Sequence, residues 1–187
     1  NGSTSLDNVD WNNSAGIVLQ YPNYFGLIEN IEKTKNQFPK TKTQLIITGD
    51  PFNYGILKSP GECGADIYAG EGQVFGNYLS YGGPYLGLFA VKKHLMRKMP
   101  GRIIGKTEDI DGEEGFVLTL QTREQHIRRE NATSNICTNQ GLLALRATIY
   151  LSLIGKKGFT DIVKHCFNKA HYLANQINDI KGFSINS

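Results

Sequence analysis

Over the first hundred positions the apolar residues come in short blocks rather than in one long periodic stretch. "AGIVLQYP" closes at Pro22, "TQLIITGDP" ends in Gly49-Asp50-Pro51, and "GADIYAGEG" and "YLGLFAVKK" follow with glycines on their flanks. Compact apolar runs bounded by Gly and Pro predict buried strands. Between the first two, "YFGLIENIEKTKNQF" sets Phe25, Ile28 and Ile31 at helical spacing, with Lys33 and Lys35 near its end, and predicts a helix. Near-continuous apolar strands separated by crossover segments predict an α/β protein with a largely parallel sheet.

The pattern changes after Pro100. "GRIIGKTED" and "GFVLTLQT" flank the turn sequence "IDGEE" and predict a hairpin. Two helices follow, the first from about Gln140 to Ile154 with a stop at Gly155. The second, "FTDIVKHCFNKAHYLANQI", carries the stripe Ile162, Val163, Cys166, Phe167, Ala170, Leu173 and Ile177, with Thr160-Asp161 where an N-cap is expected. His165 and Cys166 read as packing residues of that helix. The polar opening, residues 1–14, reads as a tail or linker, and 178–187 as the start of a further strand or connection. No internal repeat or low-complexity tract is visible.

Composition narrows this only a little. The 187 residues are 40% hydrophobic and 20% charged, which suits a folded globular domain. A net charge of +3 is too small to argue for nucleic acid unless the cations gather on one surface. Cys63, Cys137 and Cys166 are odd in number, widely spaced and outside any C-x-x-C pattern, so they read as reduced thiols rather than a disulfide frame or zinc site. With no apolar run of membrane-spanning length, the expectation is a cytoplasmic protein without a metal.

Three places offer chemistry. Asp50 follows a predicted parallel strand, where α/β proteins keep their ligands; it either pairs with a cationic group or caps the turn before Pro51. "GEGQVFG" and "SYGGPYLG", including Gly82 and Gly83, are either phosphate cradles or tight bends, and neither matches the Walker or G-x-G-x-x-G pattern. "LQTREQHIRRENATSNICTNQ" is the densest polar stretch, with Arg123, His126, Arg128 and Asn135 ahead of an apolar helix. Guanidinium groups hold carboxylates and phosphates bidentately, and an imidazole titrates near neutrality. The alternative is a solvated charge network completed by Glu124 and Glu130. The stretch has no aromatics among its arginines, which disfavours RNA. Cys137 and His126 lack an orienting acid and do not read as a nucleophile and base.

Taken together, "GECGADIYAGEGQVFGNYLSYGGPYLGLFAVKK", "MPGRIIGKTEDIDGEEGFVLTLQTREQHIRRENATSNICTNQGLLAL" and "KAHYLANQI" strongly resemble the glycine-cleavage-system P-protein, glycine dehydrogenase (decarboxylating). More narrowly they resemble the first subunit of its two-chain bacterial form, from about Ala15 onward. The resemblance implies the aspartate-aminotransferase-like (type I) pyridoxal-phosphate-dependent transferase fold. Residues 15–177 would then be part of its large α/β domain, a mostly parallel sheet with flanking helices, and 178–187 the approach to a small domain.

It also implies an assembled heterotetrameric oxidoreductase that decarboxylates glycine with pyridoxal phosphate (PLP) and passes the aminomethyl group to the lipoyl arm of H-protein. In that family the Schiff-base lysine belongs to the second subunit and precedes a "GGP" segment by a fixed stretch. Counting back from Gly82-Gly83-Pro84 reaches Gln73, an amide that cannot hold the cofactor covalently. No catalytic residue is therefore expected in this chain. Arg123, His126, Arg128, Asn135, Asp50, Gly82 and Gly83 remain candidates for the interface with the second subunit or for ligand contact. The alternatives are a purely structural assembly module and an independent PLP enzyme using Lys58, Lys92 or Lys106.

Overall fold

A computed structural model of the chain describes residues 14–37, 43–132 and 140–185. The chain divides into two compact units, one formed by Asn1–Phe89 with Leu142–Ser187 and the other by Ala90–Gly141.

The first unit is organised by a sheet in the order β1 (Gly16–Gln20), β2 (Gln44–Thr48), β3 (Ile67–Glu71), β4 (Gly87–Val91). β1 pairs with β2 and β2 with β3 in parallel, with Ile17 opposite Leu45 and Ile47 opposite Tyr68. All four strands fall where the apolar blocks predict them. Along β2 burial alternates: Leu45 and Ile47 are fully buried, whereas Ile46 is only half covered and Val18 on β1 is exposed. The expected two-sided burial is thus one-sided here. Tyr21, Ile31, Cys63 and Ala65 complete the core around Leu45 and Ile47, with Leu19, Tyr54 and Tyr68 against it. Asp66 secures the entry to β2 by accepting the Leu45 amide through Oδ2 at 2.9 Å.

The helix expected from Tyr24 starts only at Ile31, as α1 (Ile31–Gln37). The cause is local competition for backbone donors. Asn23 Oδ1 accepts the amides of Phe25 and Leu27 at 2.9 and 3.0 Å, and its Nδ2 donates to Glu29. Such a side-chain turn offers the backbone an alternative to the helical ladder. Asn30 then caps the helix by accepting the Lys33 amide at 2.9 Å. Phe25 and Ile28 remain exposed in the loop.

The long helix α3 (Gly141–Asn178) is two helices joined at Gly155, whose φ of 60° and ψ of −178° break the ladder at the predicted place. It packs through Ala147, Tyr150, Phe159 and Val163. Phe159 meets Phe52 edge-on at 5.4 Å and Phe75 at 5.9 Å, and Val163 lies against Gly55. The rest of the predicted stripe is only partly covered: Ile162 and Ile177 are half-buried, but Phe167, Ala170 and Leu173 are exposed, as are His165 and Cys166, which are not packing residues. Thr160-Asp161 is not an N-cap either. The helix resumes directly after Gly155, so Asp161 lies inside it and pairs with Lys157 one turn back. Among the described residues of the tail, 179–185, there is no strand.

The second unit is built on an antiparallel hairpin, β5 (Ile103–Glu108) and β6 (Glu114–Thr119). Its turn is the predicted one. Asp109 Oδ1 accepts the amides of Asp111 and Glu113 at 2.8 and 2.9 Å, the local bonding that makes Asp a turn former. No described helix is long and apolar enough to cross a membrane.

Candidate functional site

The three parallel strands all end at one edge, and that edge opens a hollow of about 700 Å³. Gln20 lines it from β1, Thr48 to Asp50 from β2, and Ala69 to Glu71 from β3, with Gln73 and Val74 from the loop beyond. This is the edge at which open α/β sheets bind ligands. Its walls approach closely because they are glycine: a Cβ on Gly70 would overlap the Tyr68 hydroxyl, and one on Gly49 the Tyr21 carbonyl. Tyr68 donates to the Gly49 carbonyl at 2.9 Å and Tyr54 to the Tyr21 carbonyl at 3.2 Å, tying the strand ends together.

The two carboxylates of the hollow have one oxygen each committed to the backbone. Asp50 Oδ1 accepts the Phe52 amide at 2.9 Å and caps the short 3-10 turn Pro51–Gly55, which is the turn-capping role. Glu71 Oε1 accepts from the amides of Gln73 and Leu86, at 2.9 and 2.8 Å, and so closes the loop between them at both ends. Glu71 was not singled out from sequence, although it is the one acid in "GEGQVFG". Gln73 Nε2 donates to the Asn77 carbonyl at 2.6 Å. Among the described residues no lysine, arginine or histidine lines the hollow.

Burial raises both tyrosines above the ordinary phenol. Tyr68 is pushed up to about 12, by burial first and the Asp50 carboxylate second; Tyr54 is raised further, by burial and then by Tyr68. Because the folded Tyr68 holds its proton more tightly than the unfolded residue, its contribution to stability is complete below pH 10 and fades as pH rises toward about 12. Chemical unfolding between pH 9 and pH 12 is expected to show that alkaline loss, and Tyr68→Phe to flatten it. An equally steep loss in the Phe variant would count against this assignment.

Gly82 and Gly83 lie at the far end of the same loop. Ser80, Tyr81, Gly82 and Gly83 all have positive φ, between 46° and 116°. For Ser80 and Tyr81 this left-handed backbone costs energy that surrounding contacts must offset. Tyr85 supplies one such contact, donating to the Leu79 carbonyl at 2.6 Å. The segment is thus a strained bend in which the tip side chain, Tyr81, is fully exposed.

The cationic stretch lies in the second unit, and its members separate. Arg123 is 7% exposed, and its two terminal nitrogens donate to the carbonyls of Met99 and Gly101, forking across one turn of chain. Glu124, 6% exposed, approaches it at 3.6 Å. His126 and Arg128 sit in the single turn α2 (Gln125–Arg128) with exposed side chains; Arg128 Nε donates to the Thr122 carbonyl at 3.2 Å. Leu120 and Arg129 bracket the segment with φ of 53° and 52°. Arg123 is therefore a clamp on the chain's own backbone, whereas His126 and Arg128 are displayed. Asn135, with Cys137, lies outside the described residues.

Of the lysines of the independent-enzyme reading, none is among the residues that line the hollow. Lys58 pairs with Glu32 at 2.6 Å, Lys106 pairs with Glu114, and Lys92 is exposed in the second unit. Among the described residues no cluster of three His, Cys, Asp or Glu side chains is placed to hold a metal.

A parallel sheet with this hollow at its carboxyl edge defines an open α/β domain of the kind that keeps its ligands at that edge. Its architecture is similar to that of a crystal structure of glycine decarboxylase (P-protein) of the glycine cleavage system in inhibitor-bound form. The TM-score is 0.83 at 38% identity, over 90% of this chain and 38% of that one. Residues 3–186 match the sequence pattern of the glycine cleavage system P-protein, and the chain belongs to that family. It is 53% identical over 171 residues to the probable glycine dehydrogenase (decarboxylating) subunit 1 of Prosthecochloris aestuarii, and 49% over 181 residues to that of Chlorobaculum parvum. Those alignments take in 91% and 97% of this chain, which spans about two fifths of the relatives' length, 38% and 41%.

Proposed function

We propose that the chain is part of the subunit of glycine decarboxylase that does not carry the Schiff-base lysine, residues 15–177 belonging to its large domain. The assembled cytoplasmic heterotetramer acts on the CH–NH2 group of glycine and transfers the aminomethyl group to lipoylated H-protein. Pyridoxal phosphate, held covalently by the second subunit, supplies the electron sink for decarboxylation.

The observation that carries this reading is the lining of the hollow. A phosphorylated, lysine-bound cofactor needs an amine and cationic or amide donors for its phosphate. Gln73 offers an amide already engaged with Asn77, and Asp50 and Glu71 add negative charge with no cation beside them. These residues do not fit the cofactor, so in this reading the chemistry belongs to the partner subunit. His126, Arg128 and Asn135 are proposed to face that partner or its ligands, with Gly82 and Gly83 shaping the loop that does the same. For Arg123 the observed clamp on Met99 and Gly101 favours the structural alternative.

The test uses the full-length first subunit co-expressed with the second. Co-purification is expected, and borohydride reduction with pyridoxal phosphate is expected to label one lysine of the second subunit and no lysine of the first stoichiometrically. Failure to retain the second subunit, or stoichiometric labelling of the first, would overturn the proposal.

A further inference from the structure

The loop between β3 and β4, residues 72–86, is held at its base and along its first arm. At the base Glu71 Oε1 accepts the Leu86 amide at 2.8 Å, and the Gly72 amide donates to the Leu86 carbonyl at 2.6 Å. The first arm lies against the first half of α3, where Leu143, Arg146, Ala147 and Tyr150 recur at three and four residues and so share one face. Arg146 holds the arm twice. Its Nη2 donates to the Gly76 carbonyl at 3.0 Å, and its guanidinium sits 4.4 Å from the centre of the Tyr78 ring. The buried Asn77 between them donates through Nδ2 to the Leu143 carbonyl at 3.4 Å. Gly76 makes this approach possible: its φ is 79°, and a Cβ there would lie 2.9 Å from the Tyr150 Cβ.

Beyond Tyr78 the loop leaves this support. Leu79 and Tyr81 are exposed, and Ser80 and Tyr81 keep their left-handed backbone. Among the described residues the tip's hydrogen bonds, from the Gly82 amide and the Tyr85 hydroxyl to the Leu79 carbonyl, stay within the loop. Backbone strain of this kind persists only where the surroundings over-determine it. The anchors that do so are Glu71 at the base and Arg146 on the arm. Glu71 also lines the hollow, whereas Arg146 does not, so an effect of Arg146 on chemistry must pass through the loop.

We propose that Arg146 is a positioning residue: its double hold on Gly76 and Tyr78 keeps the loop in the geometry in which its tip, residues 80–83, meets the catalytic subunit. The hold itself is a property of this chain; its catalytic consequence rests on the function proposed above. A planar guanidinium suits both contacts, because it donates in its plane while a ring covers its face, and an ammonium serves one at a time.

The test uses the full-length first subunit, alone and co-expressed with the second. In the first subunit Arg146→Ala is expected to raise hydrogen exchange about tenfold or more at the bonded amides of Phe75, Asn77, Gly82 and Leu86, with global melting little changed. Arg146→Lys should fall between the two. Tyr78→Leu, at an exposed position, should loosen the loop without unfolding the chain, and the double variant with Arg146→Ala should lose less than the sum of the single changes. In the assembled enzyme Arg146→Ala is expected to lower kcat for glycine carboxyl exchange about tenfold, with KM nearly unchanged and the second subunit retained, and Arg146→Lys to restore part of it. A scaffold role alone would loosen the loop without that fall. Unchanged hydrogen exchange in Arg146→Ala, additive effects in the double variant, or a loosened loop with full kcat would each overturn the proposal. A wild-type first subunit that does not retain the second would instead overturn the function proposed above, while hydrogen exchange still decides the hold on the loop.

Discussion

Replacing Arg123 with alanine is expected to destabilise the protein by about 3–5 kcal/mol, the cost of breaking a buried ion pair by removing one partner. The reasons lie in what the guanidinium does. It donates to the Met99 and Gly101 carbonyls, holding a turn that has no regular secondary structure of its own, and it is the cation nearest the buried Glu124 carboxylate. Alanine removes both donors and leaves Glu124 with an uncompensated charge. Lysine keeps the charge, but one ammonium cannot span two carbonyls as the planar fork does, so Arg123→Lys should lose about 1.5–3 kcal/mol. Adding Glu124→Gln to the alanine variant should recover part of the loss, because the stranded charge is then gone. Thermal unfolding gives the magnitudes, and amide hydrogen exchange over Met99 to Arg102 localises them. An alanine variant with unchanged melting and unchanged exchange would return Arg123 to the set of ligand candidates.

The same residue shows what the sequence could and could not disclose. Strands β1 to β4, the hairpin and the break at Gly155 are legible because each is specified locally, by a short apolar block or by a glycine in a backbone that other residues avoid. Gln73 is a different case: its place as counterpart of a Schiff-base lysine is what the family resemblance implies, by counting back from Gly82-Gly83-Pro84, and the labelling experiment is its test. Arg123 and Arg128 are alike in the sequence, and only the fold assigns one to carbonyls more than twenty residues away and leaves the other exposed. Asn23 captured the amides that would have started a helix at Tyr24, because a side-chain turn and a helix compete for the same donors. The stripe on the second half of α3 follows helical spacing faithfully, yet periodicity states which face is apolar and not what covers it.

Converting Gln73 to lysine in the full-length first subunit is expected to leave that subunit without decarboxylase activity. With the second subunit present but its own Schiff-base lysine replaced, glycine carboxyl exchange with labelled bicarbonate should stay about 10³-fold or more below wild type. A lysine at 73 would enter a hollow that already holds Asp50 and Glu71, and the opposite charges would favour its protonated form. A protonated amine cannot attack the cofactor aldehyde, so even attachment would be poor. The phosphate would fare worse, because the lining, among the described residues, has two carboxylates and no cation to oppose its charge. These deficits concern separate groups, so one substitution cannot repair them together. Exchange restored to near wild-type levels would mean that the first subunit lacks only its lysine. The hollow would then be an intact cofactor site, and its acidic lining would have no bearing on which subunit performs the chemistry.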